Sequence, residues 1–337
     1  MSNKRGNKRK KKVILNTVFL VMIFCIILLL GVLGIMRIRK DKNLDLTMAF
    51  QEKEGTESTN EFQRAEPFAA DLCVTDENVG LEGVSMINDE KSCLLDIDNS
   101  QVMFAQGIHE KAYPASITKI ITAILAIKYG DMDDVVTVSQ NAVTLEEGST
   151  MCGFQAGDMV TMDELFHGLL IYSGNDAAMA IAEHLGGSVE HFVEMMNEEV
   201  LALGATNTHF VNPTGLHDDD HYTTAYDIYL MLNEALNYDY FVEVMQMSAY
   251  TLTLSRGGEE VQTYLDSTDQ YLTGVETAPA GVTVLGGKTG TTSKAGSCLA
   301  ILSQNEYGAP YISIVLNANT KADLYDDMNQ LLGKINS

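Results

Sequence analysis

The sequence predicts an α/β (α+β) protein in which an antiparallel sheet is flanked by helices and joined to an all-helical subdomain. Three observations carry that expectation. Strand-like segments lie at both ends of the globular region: Ser92–Ile97 and Gln101–Ala105 early, then Tyr250–Ser255, Thr283–Leu285, Ser297–Ser303 and Tyr311–Leu316 late. Between them apolar residues recur at helical spacing. A helix with Leu324, Met328, Leu331, Leu332 and Ile335 on one face closes the chain. Strands, helices and strands again imply a sheet built from both ends of the chain around a helical insertion.

The chain has 337 residues, and its charge is unevenly placed. Residues 1–40 carry ten of the 22 Lys/Arg and no acid, so the remainder sets 12 bases against 46 acids, a net of −34. So acidic a body repels phosphate, which excludes nucleic acid as a partner. Residues 1–12 are a basic tail. Residues 13–36 hold no charge and are long enough to span a bilayer, which needs about 20 apolar residues. They end at Leu33-Gly34-Ile35-Met36 with no small-x-small cleavage site, so an uncleaved transmembrane signal-anchor is expected. The heavier basic cluster precedes it, which places the N-terminus in the cytoplasm and the rest outside a single-pass membrane anchor. Residues 37–68 are polar, acidic and without period, a flexible linker. Residues 69–337 are the globular domain.

Within that domain, Asp98-Asn99-Ser100 supplies turn chemistry for a hairpin. An apolar helix begins at Ser116 and stops at Gly130. A second covers Asp163–Ile171, with acids in its first turn. Ser173-Gly174-Asn175 interrupts it, and further helices follow over Asp176–Leu185, Val189–Leu203 and Tyr222–Asn237. Of five cysteines, Cys25 lies in the anchor. Cys73, Cys93, Cys152 and Cys298 lie in the exported part, where either disulfides or free thiols are compatible with the sequence. No Cys-x-x-Cys is present, and neither metal nor cofactor is implied.

Three short motifs carry chemistry. Ser116-Ile117-Thr118-Lys119 puts a hydroxyl and an amine on one helix face, where a lysine held neutral activates a serine. Ser173-Gly174-Asn175 exposes a hydroxyl and a carboxamide at a helix break. Lys288-Thr289-Gly290-Thr291, at an expected strand end, offers positive charge and two hydroxyls for a carboxylate. Each motif alone is uninformative, but their order is specific.

The sequence resembles the low-molecular-mass penicillin-binding proteins, the serine D-alanyl-D-alanine carboxypeptidase family. The likeness covers roughly residues 68–337. It extends to Tyr113–Lys119, Leu169–Ala178, Phe210-Val211-Asn212-Pro213-Thr214-Gly215-Leu216 and Gly287–Thr292. It implies the transpeptidase-like fold shared with β-lactamases, without the C-terminal β-domain of longer members. It also implies roles. Ser116 attacks the carbonyl between two D-alanines of a peptidoglycan pentapeptide, Lys119 activates it, and Ser173 relays the proton under the influence of Lys288. Asn175 holds the acyl amide. Lys288, Thr289, Gly290 and Thr291 form the carboxylate side, with the N–H groups of Ser116 and Thr291 as the oxyanion hole. β-Lactams acylate the same serine. Thr291 stands where the family often has an aromatic residue or His, which leaves substrate preference open.

The alternatives are a serine β-lactamase, a DD-endopeptidase, and a non-catalytic penicillin-binding sensor or wall-binding module. A β-lactamase needs a group for deacylating water, and Glu183, Glu190 and Glu194 fall in expected helices. A phosphate loop at Gly287-Lys288-Thr289 would need glycine where Val282 stands. His217-Asp218-Asp219-Asp220-His221 has metal-ligand chemistry but reads as an acidic surface loop leading into a helix.

Overall fold

The computed structural model describes residues 71–87 and 89–336. The expected tail, anchor and linker lie outside the described residues. Among the described residues no helix is long and apolar enough to cross a membrane.

The predicted hairpin is present as β1 (Lys91–Asp96) and β2 (Gln101–Gln106). The Asp96 carboxylate accepts the Asn99 N–H at 3.0 Å across the turn. Three late strands join them: β7 (Thr283–Thr292), β8 (Gly296–Gln304) and β9 (Pro310–Ala318). They form one antiparallel sheet in the order β2-β1-β9-β8-β7. The sheet built from both chain ends is thus observed. Strand β8 is buried along nearly its whole length because both faces are covered, so it reads as a continuous apolar run. On one face lies α8 (Lys321–Leu332), the chain's preceding helix being the single turn α7 (Gln270–Thr273). With Ile335 its apolar side packs on Leu94, Leu299, Ile301 and Val315. Each such side chain contributes about 1.5–3 kcal/mol on burial.

The other face meets a helical region made of α1 (Lys119–Tyr129), α2 (Met162–His167), α3 (Asn175–Gly186), α4 (Val189–Ala202), α5 (Ala225–Ala235) and α6 (Asp239–Met245), of which α5 packs on β1 and β9 and α6 on β7. Helix α1 is central. Ile120, Ile121, Ile124 and Leu125 are fully buried, and α1 touches α3, α4 and α5. Thr161, Ser188, Thr224 and Thr320 cap helices by accepting N–H groups of the first turn.

Three expectations need correction. The intervening region is not all-helical. Strands β3 (Val135–Thr137) and β4 (Met159–Thr161) join β5 (Ala249–Arg256) and β6 (Glu259–Asp266) in a second sheet, ordered β3-β4-β5-β6. Three-residue strands are too short to show a period, and β5 therefore belongs to this sheet rather than the first. The helix expected from Tyr222 starts at Ala225, because Tyr222 and Thr223 bridge to His209 and Ala112 and Thr224 is the cap. Lys288-Thr289-Gly290 lies inside β7, not at its end. Cys73, Cys93, Cys152 and Cys298 are all free thiols.

Candidate active site

Two walls face each other, one helical and one of strand. In the helical wall, Pro114 precedes a 3₁₀ turn over Ala115–Thr118, with Ala115 at φ +47°. Ser116 therefore sits in a 3₁₀ turn leading into α1 rather than in the helix itself. Three residues per turn place residues i and i+3 directly over one another. Lys119 Nζ accordingly lies 2.9 Å from Ser116 Oγ. Lys119 is fully buried. Its amine donates to Asn175 Oδ1 at 2.6 Å and to the Thr214 carbonyl at 2.7 Å. A neutral amine has two hydrogens and one lone pair. In that neutral form the two acceptors take the hydrogens and the lone pair is left for Ser116. Burial pushes the Lys119 pKa well below the usual lysine range, and the charge of Lys288 pushes it further; Asp176 opposes. The Thr214 carbonyl is held by a turn in which Asn212 Oδ1 accepts from the N–H groups of Thr214 and Gly215.

Helix α2 runs into one turn of π-helix over Gly168–Tyr172, which ends at Ser173 in the left-handed region (φ +68°). π-Turns of this kind concentrate at functional sites. Ser173 Oγ is buried without a hydrogen-bond partner among the described residues. Such an orphaned hydroxyl is costly unless a ligand satisfies it. Glycine at 174 makes room for Cys152: a Cβ there would run into its Sγ. The Asn175 N–H donates to the Thr150 carbonyl, and the Asp176 carboxylate accepts from the N–H groups of Cys152, Gly153 and Phe154. The 150–154 loop is thereby fastened to the Ser173 turn.

The strand wall is β7, an edge strand with one side unpaired within the sheet. Lys288 is buried, and burial lowers its pKa to about 7 against the opposing charge of Asp269. Burial in turn raises the Asp269 carboxyl to about 6. Thr289 Oγ1 donates to Thr268 Oγ1 at 2.6 Å. Gly290 is where the walls meet: a Cβ on it would lie 2.9 Å from both the Ser116 nitrogen and the Pro114 carbonyl oxygen. This approach brings the backbone of Thr291 beside that of Ser116. The enclosed cavity is about 220 Å³ and is lined by Ser116, Ser173, Thr289, Gly290 and Thr291 of the expected set. Lys119, Asn175 and Lys288 stand behind it.

Sequence reasoning missed Thr150, Thr268 and Lys321, which also line the cavity, and Asp269. Nothing local marked them; only the fold brings them in. It also misjudged His221. The acids at 218–220 are exposed, but His221 is 2% exposed. Its Nδ1 accepts the Val211 N–H at 3.2 Å, so Nε2 carries the proton and meets Thr118 Oγ1 at 2.8 Å. Thr118 Oγ1 in turn donates to the Ala115 carbonyl at 2.8 Å. Burial lowers the His221 pKa to about 3, so the ring is neutral. Among the described residues no group of His, Cys, Asp and Glu has metal-binding geometry.

A buried lysine aimed at a serine, with a Ser–Asn turn opposite a Lys–Thr edge strand, defines a serine–lysine acyl-transfer architecture. The model of the peptidase S11 family, described as D-alanyl-D-alanine carboxypeptidase, matches residues 81–320, and the chain belongs to that family. It is 31% identical over 251 residues to the D-alanyl-D-alanine carboxypeptidase DacF of Bacillus subtilis, covering 72% of this chain and 61% of the relative. It is 32% identical over 250 residues to DacC of Escherichia coli, covering 71% of this chain and 59% of the relative. The chain thus spans about three fifths of the length of these relatives. Among solved structures, the Streptomyces K15 DD-transpeptidase shares the fold at 24% identity and a TM-score of 0.68, covering 74% of this chain and 97% of that one.

Proposed function

We propose that this chain is a serine-type D-Ala-D-Ala carboxypeptidase that removes the terminal D-alanine from peptidoglycan stem peptides and is acylated by β-lactams. The observation that carries this reading is the amine of Lys119. With both hydrogens committed to Asn175 and Thr214, its lone pair has one direction left, toward Ser116 Oγ. Lys119 takes the Ser116 proton as Oγ adds to the penultimate carbonyl, and the oxyanion is met by the N–H groups of Ser116 and Thr291. The C–N bond then breaks. Ser173, with its uncommitted hydroxyl, passes a proton to the departing amine of D-alanine. The substrate carboxylate lies on Thr289, Thr291 and the cation of Lys321, with Lys288 behind them. The Asn175 side chain also faces the acyl amide. Water releases the acyl group and restores Ser116.

No carboxylate lines the cavity among the described residues, and Glu183 is bonded to Asn141 instead. This favours a slowly released penicilloyl adduct over a β-lactamase. We further propose that residues 13–36 anchor the chain by a single span, with the catalytic domain on the extracytoplasmic side. The basic tail and the uncharged 24-residue run support this.

The test is release of D-alanine from a defined pentapeptide, measured beside labelling by a fluorescent penicillin. Release that disappears in Ser116→Ala together with labelling is the expected result. Fast penicillin hydrolysis without D-alanine release would overturn it.

A further inference from the structure

Thr268 lines the Ser116 cavity and is bonded to both of its walls. Its N–H donates to the Ile171 carbonyl at 3.1 Å, in the π-turn two residues before Ser173. Its Oγ1 accepts the Thr289 hydroxyl of β7 at 2.6 Å. The segment that carries it follows β6 and is fastened from several sides. Ser267 N–H donates to the Ser248 carbonyl at 2.8 Å, Asp269 N–H to Ser267 Oγ at 3.2 Å, and Gln270 N–H to the Tyr325 hydroxyl of α8 at 2.9 Å. Asp269 is buried, and its Oδ1 caps α7 by accepting the Tyr271 N–H at 3.0 Å. Moving this backbone would break bonds to several elements at once, so it resists local opening.

Counting protons shows what Thr268 offers a ligand. A hydroxyl has one proton to give. The Thr289 proton goes to Thr268, so the free proton of this pair is the one on Thr268. It has no acceptor among the described residues, and Thr268 is half-buried at the cavity wall. A carboxylate entering the cavity completes that bond, which is stronger than one between neutral groups.

The position of Thr268 matters as much as its proton. On the carboxypeptidase reading, Ser173 protonates the amine of the departing residue while its carboxylate sits beside Thr289. In D-alanine a single carbon joins those two groups. Thr268 links the turn that ends at Ser173 to Thr289 through one residue, and so sets the span between the two subsites. We infer that Thr268 is a specificity-determining residue for the leaving group: it donates to the terminal carboxylate and fixes its reach from Ser173. An α-amino acid then fits, whereas a β-amino acid is longer by one C–C bond of about 1.5 Å and does not. The inference rests on the carboxypeptidase reading and deepens it, from which bond is cut to which leaving residues are accepted.

Two pentapeptides test it, identical except that one ends in D-alanine and the other in β-alanine. A misplacement of about 1 Å costs on the order of 10²-fold, so the wild-type protein should prefer the D-alanine peptide by that much in kcat/KM. Thr268→Val keeps the branched shape and the backbone bond to Ile171 but removes the hydroxyl. Its kcat/KM for the D-alanine peptide should fall about tenfold, the scale of one hydrogen bond to a charged group. The β-alanine peptide does not make that contact and should lose far less, so the preference narrows about tenfold. Thr268→Ser should restore it. No preference in the wild type, or an equal loss on both peptides in Thr268→Val, would overturn the inference, and an unchanged preference would assign the carboxylate to Thr289 without Thr268. The same peptides, competed against labelled penicillin for Ser116, read the preference without turnover. Failure to release D-alanine would count against the carboxypeptidase reading alone, while the ratio of inhibition constants, and its response to Thr268→Val, still decides the role of Thr268.

Discussion

The two walls of the site are built in opposite ways. In the helical wall the polar groups around Ser116 are committed, with the Ser173 hydroxyl the exception. The Lys119 amine is held by Asn175 and the Thr214 carbonyl, Asp176 holds three loop N–H groups, and Thr118 is fixed between His221 and Ala115. In the strand wall Lys288 donates to the Thr289 carbonyl alone among the described residues, at 3.3 Å, and Thr291 is exposed. A group that moves a proton needs fixed geometry before the substrate arrives, because reorganising it then would raise the barrier. A surface that recognises a carboxylate and a peptide backbone needs unsatisfied donors, which the substrate completes. On the proposed carboxypeptidase reading, the rigid wall carries the chemistry and the open wall carries recognition.

The largest effect should come from the rigid wall. Lys119→Met keeps the apolar stem and removes the base, and acylation by labelled penicillin should slow by on the order of 10³-fold or more. Near wild-type acylation would show that another group deprotonates Ser116. The next effect couples the walls. Lys288 carries charge below about pH 7 and helps hold the Lys119 pKa down. In Lys288→Met that help is gone, so Lys119 keeps its proton to higher pH. Since only the neutral amine acts, the acid limb of the acylation-rate profile should move to higher pH, most visibly where Lys288 was charged. An unmoved limb would mean that desolvation alone sets Lys119.

The same division explains what the sequence made legible. Ser116, Lys119, Ser173, Asn175 and the 288–291 segment lie in windows of three or four residues, so chemistry and spacing could be read together. Helix α8 and the β1–β2 hairpin were equally open, because each buries one face or turns on local chemistry. Strands β3 and β4 were not, since three residues cannot show a period. Nor were Thr268, Asp269 and Lys321, whose neighbours are set by how β7 and α8 pack. His221 is the sharpest case. It stood in a run of acids that suggested a surface loop, and its partner Thr118 lies 103 residues away.

His221 gives the third test, on the support of the rigid wall. Its ring stabilises the hydroxyl that fixes the carbonyl immediately before the nucleophile. His221→Leu strands Val211 N–H and the Thr118 hydroxyl, at a cost of about 1–3 kcal/mol. The acylation rate should fall roughly tenfold, with little change in penicillin affinity before acylation. His221→Gln restores an acceptor and a donor and should recover most of the rate. A Leu variant as fast as wild type would make His221 a packing residue only.

The smallest effect on catalysis, and a control outside the cavity lining, comes from Glu90. It is 1% exposed, accepts the Ile87 N–H at 3.1 Å through Oε2, and leaves Oε1 without a partner among the described residues. Burial first, then the charge of Asp327 on α8, raises its pKa to about 8. The unfolded chain releases this proton near pH 4.5, whereas the native protein keeps it to about pH 8. Each proton the native state retains favours folding at low pH, so stability falls as pH rises between those values and levels off above them. Glu90→Gln has no proton to lose. Its unfolding midpoint in urea should match wild type near pH 5 and exceed it at pH 9, by on the order of 1–3 kcal/mol. Acylation at Ser116 should not change. Parallel stability curves for the two proteins would show that the Glu90–Asp327 pair is already relaxed by water or by movement of α8. An altered acylation rate would mean that α8, which carries Lys321, transmits strain from the back of the sheet to the open wall.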